Sequence, residues 1–341
     1  MTFPITEHTV KTDRHTTGYL ACGPDAGPLL VFVHGWPELS RSWRHQLPAF
    51  ASLGFRAVAP DMRGYGRSST YTRQEDFALE QIVQDMLELL GSLGREKAVW
   101  IGHDWGSPVV WSMASHHPDK TIGVANLCVP YIKGFTLDER LPLIDRKLYP
   151  EAEYPVGQWD YQLFYRESFD VACAAFERDV GATVRALFRA GDPAGKGKPA
   201  RTSYVRVNGG WFRQGAAPSL PRDAAILSEE DEHRYVAALE RNGFFGPDSW
   251  YMNGPANIAY AERARANWRL KAPVLFIHAA YDYVCETLDS KLAEPMRANC
   301  ADLTEATAPS GHWMAQERPA MVNAVLAKWL ASKLPQLWTS T

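Results

Sequence analysis

Apolar residues in the first part of the chain come in short unbroken runs: "PLLVFVHG" (28–35), "FRAVAPD" (55–61), "KAVWIGHD" (97–104) and "IGVANLCVP" (122–130). A strand covered on both faces reads this way, so the runs predict a parallel sheet held between layers of helix. Between the second and third runs, Leu79, Ile82, Val83, Met86 and Leu90 recur at helical spacing, and Gly91 stands where such a helix would stop. Strand and helix in alternation predict an α/β fold with a doubly wound, mostly parallel sheet.

The alternation lapses over residues 131–270, where helix-like stretches are broken by Gly and Pro. The clearest is "LSEEDEHRYVAALERNG" (227–243), with Ser228 and Asp231 at capping-box spacing and Gly243 as a stop. "RAGDPAGKGKPARTS" (189–203) reads as loop. The sheet resumes with "APVLFIH" (272–278) and "ADLTEAT" (301–307), and a closing helix turns Val322, Val325, Leu326, Trp329 and Leu330 inward. The expectation is a core domain of residues 1–130 and 271–341 with a mainly helical cap, 131–270, inserted after the first half of the sheet. Such a cap would lie over the carboxyl ends of the strands, where α/β folds place their sites.

Composition changes this picture little. The chain has 341 residues, 46% hydrophobic and 22% charged, with a net charge of -3. That balance predicts a sizeable core and gives no electrostatic reason for nucleic acid or an anionic membrane as partner. The five cysteines are scattered without a CxxC pair, so neither a disulfide framework nor a zinc site is expected. No HExxH occurs, and "GYGRSS" lacks the lysine and third glycine of phosphate loops, so no metal and no cofactor are expected. The start shows no basic stretch followed by an apolar one, and no run reaches the roughly 20 apolar residues of a membrane span. A soluble, cytoplasmic protein is expected, as a monomer or homodimer.

The candidate chemistry centres on "GHDWGS" (102–107), which follows one apolar run and precedes another. Gly102-x-Asp104-x-Gly106 has the frame of a nucleophile elbow, a strand-to-helix turn that lifts one side chain above the sheet. Aspartate stands where esterases hold serine. On an elbow the backbone N–H of the next residue, Trp105, serves as half of an oxyanion hole. An acid and then a histidine should follow in chain order. Asp282, in the loop after "APVLFIH", and His312, in "APSGHWMAQ", fill those places, with Asp302 and Glu305 as nearby alternatives for the acid. His116 and His117, at a helix end, read as structural. A carboxylate is already ionised at neutral pH and suits displacement at a saturated carbon, forming an ester that a histidine-activated water then cleaves. The carbons that carry a suitable leaving group are those of epoxides and alkyl halides. An epoxide oxygen leaves as a basic alkoxide and calls for an acid such as tyrosine; a halide calls for N–H donors.

"HGWP" (34–37), "DMRGYGRSS" (61–69), "GHDWGS" (102–107) and "SGHW" (310–313) together resemble the soluble epoxide hydrolases of the α/β-hydrolase superfamily. The likeness runs over nearly the whole chain and is to the catalytic domain in a microbial, fungal-like form. It implies an epoxide hydrolase that makes vicinal diols from a small hydrophobic epoxide and water, in detoxification or biosynthesis. "WDYQLFY" (159–165) is similar to the family segment of the first ring-opening tyrosine and "GPDSWYMN" (246–253) to that of the second, which implies those roles for Tyr161 and Tyr251. The resemblance also implies Trp36 N–H as the second oxyanion donor and a cis peptide before Pro37. The alternatives are a haloalkane dehalogenase with the same nucleophile, and a non-catalytic ligand receptor on this fold.

Overall fold

The structure, a computed structural model, describes residues 3–213 and 215–338. Residues 1–2, 214 and 339–341, which the expected core and cap boundaries include, lie outside the described residues. The strands are β1 (Thr6–Lys11), β2 (Thr16–Cys22), β3 (Leu29–Val33), β4 (Arg56–Pro60), β5 (Ala98–His103), β6 (Thr121–Leu127), β7 (Val274–Ala279) and β8 (Leu303–Ala308). They form one sheet in the order β1-β2-β4-β3-β5-β6-β7-β8. β2 pairs antiparallel with β1 and β4, and all other neighbours are parallel.

Every residue of β3, β5 and β7 is buried, which is why these strands announce themselves as unbroken apolar runs. β1 and β2 have no such signal. β1 is the sheet's polar edge, half to fully exposed along its length, and β2 mixes Thr, Gly and Ala with its apolar residues. The helix expected between β4 and β5 differs from expectation at its end. It runs Leu79–Ser92 through Gly91, and Gly94, at φ +66°, supplies the left-handed residue after it. Gly91 lies inside the helix and is not among the glycines with positive φ, so it is no stop.

Between β6 and β7 the described residues hold helices and no strand, the longest being Asp160–Glu177 and Glu229–Asn242. The second of these carries the expected capping box, Asp231 N–H donating to Ser228 Oγ at 3.1 Å and Ser228 N–H to the Asp231 carboxylate at 3.2 Å, and ends at Gly243. The last helix, Pro319–Lys333, buries Val322, Leu326, Trp329 and Leu330, while Val325 is half-buried on its flank. Among the described residues no helix is long and apolar enough to cross a membrane.

The strand order places the site. From β3 the chain goes to β4 on one side, and from β4 it returns to β5 on the other, so the carboxyl ends of β3 and β5 bracket the point where the winding reverses.

Candidate active site

Asp104 follows β5 directly and takes φ +49°, a left-handed conformation that aspartate tolerates better than most side chains. The chain reverses there into the helix Gly106–His116, all of whose residues are buried. A Cβ on Gly106 would lie 2.1 Å from the Val33 carbonyl, so the turn closes against β3 only with glycine at that position. The turn leaves the Asp104 side chain with 15% of its surface exposed.

The loop after β3 meets Asp104 from the other side. Trp36 N–H donates to Asp104 Oδ1 at 2.6 Å. A Cβ on Gly35 would lie 2.4 Å from that oxygen and 2.5 Å from the Trp105 backbone nitrogen, so the two loops approach this closely because Gly35 has no side chain. The Trp36–Pro37 peptide is cis.

The loops after β7 and β8 bring Asp282 and His312 to the same place. His312 Nδ1 is 2.6 Å from Asp282 Oδ2, and its Nε2 is 3.5 Å from Asp104 Oδ2. The other Asp282 oxygen accepts from the Val284 and Cys285 N–H groups, both at 3.0 Å. Burial opposes the charge on Asp282, but His312 and these N–H groups hold its carboxyl below the usual range. Burial likewise opposes a proton on His312; the charge of Asp282 and the bonds to Asp104 and Asp282 override it and raise its pKa well above the ordinary value. The alternative acids are engaged elsewhere, Asp302 with Lys333 at 2.5 Å and Glu305 with Arg297 and His278 at 2.8 and 3.0 Å. His116 is stacked on Tyr260, ring centroids 3.8 Å apart.

Tyr161, on the helix Asp160–Glu177, and Tyr251, just after the helix Phe245–Ser249, come together over this group. Their ring centroids are 5.6 Å apart, and the Tyr251 ring meets Trp105 edge-on at 5.1 Å and Trp36 at 6.2 Å. Burial first, and then the neighbouring Tyr161 and Asp104 for Tyr251, push the Tyr251 hydroxyl far above its ordinary pKa. Burial raises Tyr161 as well, against the opposing pull of Arg140. Both hydroxyls therefore keep their protons at neutral pH.

Residues 28–319 match the family model of the alpha/beta hydrolase fold. The chain is 31% identical to epoxide hydrolase A of Mycobacterium tuberculosis, over 95% of this chain and 97% of that protein. It belongs to the epoxide hydrolase family of the α/β hydrolases. The pig bifunctional epoxide hydrolase 2 is 34% identical over 89% of this chain, and the chain spans about half, 52%, of that relative's length. The crystal structure of epoxide hydrolase A from Mycobacterium thermoresistibile superimposes with a TM-score of 0.78 at 31% identity, covering 96% of this chain and 99% of that one.

Beneath the site this α/β hydrolase holds a buried ion pair that the sequence reading missed. Glu38 Oε2 accepts from Gly35 N–H at 3.0 Å and from His103 Nδ1 at 2.7 Å, and His103 Nε2 donates to the His312 carbonyl at 2.7 Å. One pair thus ties the β3 loop to the His312 loop. Its only signal in the sequence is a charged residue in each of two site-forming segments, "HGWPE" and "IGHD". Burial opposes both charges, yet their attraction holds Glu38 at about 2 and His103 at about 10. Glu38's contribution to stability is complete above its ordinary pKa and is lost as pH falls towards about 2; that of His103 is complete below its ordinary pKa and is lost as pH rises towards about 10. Glu38→Gln leaves the His103 charge buried and unpaired, at an expected cost of about 3–5 kcal/mol in urea unfolding at pH 6. A loss below about 1 kcal/mol would contradict this role.

Two donor clusters, His103–Cys128–His312 and Asp282–Cys285–His312, have atoms within 4.8 Å of one another. In the second, Asp282 and His312 already bond each other, and burial keeps the Cys285 thiol protonated, which fits proton transfer better than metal binding.

Proposed function

We propose that the chain hydrolyses epoxides to vicinal diols in two steps, through an alkyl ester on Asp104. The observation that carries this reading is a pair of buried tyrosine rings, 5.6 Å apart and that of Tyr251 packed on Trp105, beside a carboxylate whose Oδ1 is already held by a backbone N–H. Asp104 Oδ2 attacks one epoxide carbon; the C–O bond to the ring oxygen breaks, and that oxygen takes a proton from Tyr161 or Tyr251. The ester's carbonyl oxygen is then Oδ1, held by Trp36 N–H from the start, and the backbone N–H of Trp105 is the second donor we assign to the charge that develops there.

Esterification removes the Asp104 charge that helps hold a proton on His312. His312 then releases that proton to solvent and becomes the base that its second task requires, with Asp282 fixing its ring, and it takes a proton back from solvent once Asp104 is free and charged again. Water gives a proton to His312 Nε2 and attacks Cγ of Asp104. The Cγ–Oδ2 bond breaks, the diol leaves with Oδ2 and the proton from His312, and the new carboxyl returns its proton to the tyrosinate. The helical segment between β6 and β7 acts as a cap, residues 131–270, that carries the tyrosines and keeps bulk water out. A halide-releasing reaction fits less well: Trp36 Nε1 donates to Asp248 Oδ1 at 2.8 Å and is not free for a halide, and two phenols have no task there.

Incubation with styrene oxide and chromatography of the products tests the activity; absence of diol across aryl and alkyl epoxides would refute it. Tyr161→Phe and Tyr251→Phe should each slow ester formation by about tenfold or more, and the double change by the roughly 10²–10⁴-fold that a general acid contributes. Stopped-flow tryptophan fluorescence reads that step, and an unchanged rate in the double variant would remove the tyrosines from it.

A further inference from the structure

Arg140 lies in the same helical segment and is 1% exposed. Its guanidinium sits between the rings of Phe135 and Trp159, 4.6 and 4.4 Å from their centroids. Nε donates to the Thr136 carbonyl at 3.0 Å, Nη2 donates to Gln162 Oε1 at 2.6 Å, and Nη1 has no hydrogen-bond partner among the described residues. After burial, the groups that bear most on its charge are Tyr161, Cys285, Tyr251 and Arg166, and none of these is a carboxylate. A buried cation with no anionic partner among the described residues is unfavourable, and two aromatic faces offset only part of that.

Gln162 connects this cation to the site. Arginine can only donate, so the end of the amide that faces Arg140 must be the oxygen and the end that faces Tyr161 must be the NH₂. Gln162 Nε2 donates to Tyr161 Oη at 2.9 Å. A hydroxyl that accepts from Gln162 must aim its own proton elsewhere. When Tyr161 loses that proton, the negative oxygen is left facing an amide that a guanidinium polarises. The cation is unmatched in the resting enzyme and matched as the ring opens, so the interaction strengthens towards the transition state, which is the condition for a rate effect.

We propose that Arg140 and Gln162 are a positioning pair for ring opening, fixing Tyr161 as proton donor and stabilising the tyrosinate formed when the epoxide oxygen takes the proton. The Tyr161 O–H bond breaks and a new O–H forms on the former ring oxygen as Asp104 bonds to carbon. This rests on the ring-opening role proposed above for Tyr161. The pair touches no substrate and acts through Tyr161 alone.

A double-mutant cycle tests it. Arg140→Met and Gln162→Leu are each combined with Tyr161→Phe, and ester formation and ester hydrolysis are followed separately with styrene oxide by rapid quench and mass spectrometry. With Tyr161 present, each change should slow ester formation by about tenfold or more, the worth of a hydrogen bond to a charged group. In the Tyr161→Phe background the same changes should alter ester formation by less than about twofold, and hydrolysis should hold within about threefold throughout. Gln162→Glu, which keeps Arg140 paired but removes the donor to Tyr161, should reproduce the loss even if Arg140→Met fails to fold. Equal losses with and without the Tyr161 hydroxyl, no loss at all, or hydrolysis falling in step would overturn the pair alone. A wild-type chain that never forms an Asp104 adduct would overturn the functional reading and the pair with it.

Discussion

Asp104→Ala should make no detectable diol from styrene oxide, with turnover expected to fall by at least about 10⁴-fold, the scale on which loss of a nucleophile is felt when the rest of the site remains. The carboxylates nearest to it among the described residues are engaged, Asp248 by the Trp36 indole N–H at 2.8 Å. Asp282 is held by His312 and two backbone N–H groups, and Glu38 by Gly35 and His103. Alanine tolerates the left-handed turn at position 104 less well than aspartate does, so Asp104→Asn is the matched control, keeping a short polar side chain while removing the charge. Both variants should fail to form an adduct, and thermal unfolding should show both folded. Diol formation surviving in either, measured by chromatography, would mean that some other group attacks the epoxide.

His312→Gln has the second largest expected effect, and it separates the two steps. Ester formation needs the carboxylate and the tyrosines, which remain; hydrolysis needs a base, which does not. Hydrolysis should fall by about 10²–10⁴-fold, the range for a positioned general base, so that the adduct accumulates on brief exposure to epoxide. Digestion and mass spectrometry should find the added mass of one epoxide on the peptide containing Asp104. A related pH effect follows in the wild-type enzyme. The raised pKa of His312 belongs to the resting state, where Asp104 is charged. In the ester that contribution is gone, so the rise of hydrolysis with pH should lie below the titration of His312 seen by NMR in the free enzyme. Coincident titrations would contradict the removal of the Asp104 charge.

The parts of this molecule legible in the sequence are those whose cause is local. β3, β5 and β7 are covered on both faces, and burial of that kind writes an apolar run. β1 is an exposed edge whose pairing with β2 lies in backbone hydrogen bonds that leave little trace in side-chain character. Asp104, Asp282 and His312 are recognisable because each stands in a loop just after a strand and the chain order is that of an elbow hydrolase. Tyr161 and Tyr251 lie far apart in the chain and meet only through folding of the helical segment, so spacing is silent about them and resemblance alone points there. The same holds more strongly for Arg140 with Gln162 and for Glu38 with His103, whose partners are set by three-dimensional packing.

A single turnover in ¹⁸O-labelled water, with enzyme in excess over epoxide, tests the covalent ester directly. The ester mechanism predicts a diol whose new oxygen is ¹⁶O, taken from Asp104, and one ¹⁸O left in the Asp104 carboxylate. A diol carrying ¹⁸O after that first turnover, with Asp104 unlabelled, would show that water attacks the epoxide itself and would contradict it.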